Sequence, residues 1–137
     1  MHRLLINLLI IAALASSIML ISHSAAAQAT QKGFKIDSTT QAALKADKKA
    51  SDLYAKVRAI EESGKAQEKK AELVKAYMEF ANYMTFSAPV PPAIKYQPAL
   101  KAYQRVLELE PNHAEAMKNK QQIEEIYKAM GRPIPQD

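Results

Sequence analysis

The chain has 137 residues, 24% charged and 48% hydrophobic, with no cysteine and a formal net charge of +5. These values exclude disulfides as a source of stability, which must come from packing instead. The basic excess is mild and interleaved with acids, so it lacks the dense stripe with stacking aromatics that nucleic-acid binding requires.

The first residues read as a secretory signal peptide over 1–27. Met1, His2 and Arg3 give a basic start, residues 4–21 are almost wholly apolar, and residues 22–27 turn small and polar. Ala25 and Ala27 satisfy the small-x-small rule for a cut before Gln28, while Ala27 and Ala29 would place it before Thr30. The competing reading is an uncleaved anchor, since about 18 apolar residues can just span a bilayer. Asn7 and the alanine-rich end favour cleavage, and no Cys follows to carry a lipid. Cleavage leaves roughly 110 residues, one small domain. Residues 28–37, mixed in Gln, Thr, Lys and Gly, read as a flexible lead-in to a helical domain over 38–137.

Asp37, Ser38, Thr39 and Thr40 are good N-cap residues, and the pattern after them predicts one long helix to Ser63, stopped by Gly64. Leu53, Val57 and Ile60 recur at helical spacing, whereas the first half is mostly Ala and Lys and is expected to be exposed and to fray. A second helix is predicted from Ala66 to Phe86, with Leu73, Tyr77, Phe80, Ala81 and Met84 on one face, widened by Val74 and Met78. The short connection over 62–65 predicts antiparallel packing of this pair. Pro89, Pro91, Pro92 and Pro98 mark a stiffened turn over 87–97, with Pro98 in the first turn of a third helix whose inner face is Leu100, Tyr103, Val106 and Leu107. Pro111 stops that helix. Asn112, His113, Ala114 and Glu115 then form a capping-box-like start for a fourth helix to Met130, with Gly131 as its cap and Ile123, Ile126, Tyr127 and Met130 inward. The expected fold is all-α, about four helices in antiparallel hairpins.

Ala99, Tyr103, Val106 and Pro111 give a small residue, an aromatic four on, an apolar residue three later and a terminal proline. Upstream, Tyr77, Phe80, Ala81 and Met84 match a first helix by residue class. This pattern resembles a tetratricopeptide repeat, with a unit over about 71–112, an insertion at 87–97 and a capping helix over about 113–130. The two halves lie about six residues farther apart than in the roughly 34-residue standard unit. Lys120 and Gln121 fall where a further repeat would need packing residues, so the last helix reads as a polar-sided cap. The resemblance implies a binding scaffold for peptides or partner proteins in a bacterial envelope. A single unit buries little core, which predicts self-association or docking on a partner, with the surface around Leu44, Leu53 and Tyr54 as the candidate.

The chemistry-bearing residues are sparse. His113 is the sole histidine after the N-terminal segment, and no second His, Cys or clustered carboxylate accompanies it, so a turn histidine is expected rather than a metal or catalytic one. Glu61 with Glu62 and Glu124 with Glu125 are helix neighbours that point apart, expected as surface charge. Gly33, Gly64 and Gly131 are isolated, so no phosphate loop is predicted. The reading is therefore a non-enzyme with no catalytic, metal or cofactor-binding residues, and with a protein or peptide partner or a second copy of itself. Nucleic acid is not expected, and membrane only through an uncleaved N-terminus. Tyr83, Val90, Ile94 and Tyr96 are the partner-binding candidates, because nothing in the repeat pattern requires them; a turn packed on its own domain is the competing reading. A membrane-tethered spacer or self-assembling envelope protein is the alternative function.

Overall fold

The computed structural model describes residues 33–135. The signal-peptide reading and both cleavage positions lie outside the described residues. Within them the protein is all-α: α1 (Ser38–Ala46), α2 (Lys48–Glu62), α3 (Lys70–Phe86), α4 (Pro92–Leu109) and α5 (Ala114–Ala129), with no strand among the described residues.

The long first helix expected from the Ala- and Lys-rich pattern is two helices. Asp47 adopts an extended conformation (φ −109°, ψ 96°) and its carboxylate accepts the Lys49 and Ala50 amides, starting α2 afresh. A carboxylate at an N-cap satisfies amides that have no partner within the helix. The same carboxylate accepts the Tyr83 hydroxyl from α3 at 2.9 and 3.1 Å, so the break is fixed by a tertiary contact as well as a local one. The first half does not splay away, because Thr40 and Leu44 of α1 are buried.

α2 and α3 run antiparallel. Asp47, Tyr54, Lys56 and Glu61 meet Tyr83, Phe80, Glu79 and Tyr77 respectively, one series rising as the other falls. The wide apolar face of α3 is buried from Leu73 to Met84, because α3 packs on both α2 and α4. α5 packs on α4 and inserts Ala116, Asn119, Ile123 and Tyr127. Met130, expected inward, is exposed, since the helix ends one residue earlier in a Schellman turn. There the Gly131 amide bonds the Lys128 carbonyl and the Arg132 amide bonds the Tyr127 carbonyl; Gly131 takes φ 63°, which a side chain resists.

Two other expectations give way. The proline-rich turn covers only residues 87–91, and α4 opens at Pro92, with Pro91 as its N-cap. Pro92 takes the first position, where a missing amide costs nothing. Pro98 therefore sits inside the helix, buried, and cannot supply the amide that the Ile94 carbonyl would otherwise receive. Burial of the apolar Pro98 ring and of its neighbours Ala99 and Leu100 offsets that loss. The described end of the lead-in is not a loose tether either. Phe34 and Ile36 are core residues, 2% and 7% exposed.

Candidate functional site

The last eight residues of α3 carry side chains to two different places. On one side lies a polar junction of three helices. The Tyr103 hydroxyl from α4 donates to Asn82 Oδ1 at 2.7 Å and accepts from Asn119 Nδ2 of α5 at 3.2 Å; Thr85 Oγ1 lies 3.3 Å from it. Asn119 Nδ2 also reaches Asn82 Oδ1 at 3.2 Å, and Asn82 Nδ2 donates to Glu115 at 2.8 Å. Burial pushes the Tyr103 phenol up, so it stays a neutral hydroxyl able both to donate and to accept.

On the other side is an open groove of about 510 Å³ between α2 and α3, lined by Lys49, Leu53, Glu79, Asn82, Tyr83, Phe86 and Ser87. The Lys49 ammonium stands 4.8 Å from the Tyr83 ring centre, and Lys56 pairs with Glu79 at 2.6 Å across the groove's edge. Burial and then the Asp47 carboxylate raise the Tyr83 phenol, keeping its proton on the Asp47 bond. Phe86 is 57% exposed, the most exposed large hydrophobic residue described. The groove's lining is thus mixed, with Leu53, Tyr83 and Phe86 beside a cation, a carboxylate and an amide.

Of the four partner-binding candidates, Tyr83 lines this groove and Val90, Ile94 and Tyr96 do not. Val90 and Tyr96 are half-buried against the domain's own core, and Lys95 covers the Tyr96 ring at 5.3 Å. Tyr77, Phe80, Ala81, Met84, Ala99, Tyr103 and Val106, singled out as packing residues, are all buried, while Pro111 lies exposed in the turn after α4.

The surface expected to dock around Leu44, Leu53 and Tyr54 is divided: Leu53 lines the α2–α3 groove, while Leu44 and Tyr54 face the domain's own core. Leu44 is buried and Leu53 and Tyr54 are half-buried, and over Tyr54 residues 33–36 lie across α2 and α3 as a strap. The Phe34 ring is boxed by Tyr54, Tyr77 and Phe80 at 5.7, 5.6 and 5.6 Å between centroids, edge-on in each case. Its amide donates to both oxygens of Glu61, at 2.9 and 3.0 Å, and its carbonyl accepts from Tyr54 Oη and Arg58 Nη1 at 3.3 Å each. Glu61 is thus not the surface charge its position beside Glu62 suggested. It also accepts the Tyr77 hydroxyl and pairs with Arg58 at 3.0 Å. Burial first, then this carboxylate, drive the Tyr77 phenol far up. A Cβ at Gly33 would lie 2.8 Å from Arg58 Nη1, a contact that a small shift of the guanidinium relieves.

Glu124 and Glu125 do behave as helix-surface acids, taken up by Lys120 and Gln121. His113 caps α5: its Nδ1 accepts the Ala116 amide at 3.2 Å, so the cap lies one residue after Asn112, where the capping-box pattern begins. Among the described residues no cluster of three or more His, Cys, Asp or Glu could hold a metal ion, and no helix is long and apolar enough to cross a membrane.

Sequence reasoning missed Phe34, Asp47, Asn82, Phe86 and Asn119. For Asn119 a signal existed, because 116, 119, 123 and 127 share one face of a helix and the other three are apolar. The described residues form an all-α domain with an open groove between α2 and α3. No family model, no curated protein and no solved structure matches the chain.

Proposed function

We propose that this chain is an exported, non-enzymatic protein–protein interaction module, a tetratricopeptide-like scaffold or adaptor of the cell envelope. The observation that carries this reading is the α2–α3 groove with Phe86 left 57% exposed at its rim. An exposed aromatic beside a cation and a carboxylate matches the make-up of binding hot spots better than that of an inert surface. Export is supported by the N-terminal sequence pattern, and scaffolding by the repeat-like residues of α3 and α4.

The test is in-cell crosslinking of the tagged full-length protein, followed by capture and mass spectrometry. A reproducible heterologous partner is expected, and Phe86→Asp should reduce its recovery by about tenfold or more while leaving the helical circular-dichroism signal in place. Partner recovery that Phe86→Asp does not change would sink the groove as the binding surface. Recovery of the protein alone would favour the alternative, a membrane-tethered or self-assembling spacer.

A further inference from the structure

The strap is held as a ligand is held. Its Phe34 side chain fills an aromatic box, and the Phe34 amide and carbonyl are both bound by side chains of α2. The segment to which it belongs, residues 33–46, joins α2 through one extended residue, Asp47. Beyond its junction with α2, this segment packs through α1 on α4 and through Phe34 on α3.

Asp47 is also the place where the local sequence and the observed backbone disagree. Residues 38–62 contain neither Gly nor Pro and are rich in Ala and Lys, a pattern that favours one continuous helix. If Asp47 turns helical, α1 and α2 fuse into a rod about 37 Å long that carries the strap away from its box.

We propose that residues 33–46 exchange between two copies of this chain, each strap filling the aromatic box of the other molecule. This inference does not rest on the interaction-module reading. The exchanged dimer keeps every strap contact and differs from the monomer only at the hinge, the usual condition for domain swapping. A segment tethered to its own box competes at an effective concentration of roughly millimolar. The closed monomer therefore dominates when dilute, and the dimer accumulates near millimolar protein or after concentrated refolding.

The hinge gives the test. Asp47→Ala removes the cap and the Tyr83 bond and inserts the best helix former, whereas Asp47→Asn keeps a capping oxygen that can also accept from Tyr83. In light scattering on the full chain refolded near millimolar concentration, Asp47→Ala should raise the dimer association constant roughly tenfold over Asp47→Asn. Adding Phe34→Ala should return it to monomer.

A second measurement does not depend on the Phe34→Ala variant folding. Because the chain lacks cysteine, spin labels can be placed at Lys35→Cys and Ala59→Cys in the Asp47→Ala background. Diluted with unlabelled protein, the dimer should show an intrachain distance lengthened to about 30 Å or more. Asp47→Ala that stays monomeric at millimolar concentration, a dimer indifferent to Phe34→Ala, or a dimer with the short intrachain distance would each overturn the proposal.

Discussion

Asn119 shows what one buried amide does at a helix junction. Its Nδ2 bonds both Tyr103 Oη and Asn82 Oδ1, so truncation takes one donor from each oxygen and leaves them only the Tyr103–Asn82 bond and the Thr85 hydroxyl. Asn119→Ala should lower unfolding stability by about 1–3 kcal/mol, the net worth of two lost hydrogen bonds, as read from urea denaturation. Exposed Lys118→Ala beside it should change little. Asp37 offers a pH test of a different kind. The Thr40 hydroxyl and then the Thr40 amide bond its carboxylate and hold its pKa below the ordinary 3.8. A group depressed on folding adds stability that is full above its unfolded pKa and fades as pH falls toward the folded one. The stability difference between wild type and Asp37→Asn should thus be steady near neutrality and narrow on acidification below about pH 4. A difference that widens in acid would contradict the role given to Thr40.

At the scale of elements, periodicity revealed which helices exist, and tertiary contacts decided where they stop. The stripe from Leu73 to Met84 was legible because every member lies on one face and all are buried. The break at Asp47 was not, because Tyr83, 36 residues away, helps to hold it. The strap was illegible for a related reason. Phe34 stands alone among polar residues, and its box is assembled from Tyr54, Tyr77 and Phe80 on two later helices. The groove was only half legible, since its tyrosine stood out for want of a repeat role but Phe86 looked like the end of the apolar stripe. Removing the strap's anchor should be costly: Phe34→Ala is expected to destabilise the domain by about 3–5 kcal/mol in chemical denaturation. Lys35→Ala, on the exposed side of the same segment, should be nearly neutral.

At the scale of the whole molecule, the described domain has its centre in α3 and α4, which contribute Phe80, Met84, Leu100, Tyr103 and Val106 to the fully buried set. Amide hydrogen exchange should therefore be slowest in α3 and α4 and fastest near Met130 and Gly131, where side chains are exposed. The strap sets a schedule for biosynthesis as well. Phe34 leaves the ribosome 46 residues ahead of Phe80, the last wall of its box. At roughly 5–20 residues per second, the nascent chain displays an aromatic and an isoleucine with nowhere to bury them for a few seconds. The stretch that finishes the core is thus among the earliest described residues to be made, and in that interval it is a natural foothold for a chaperone.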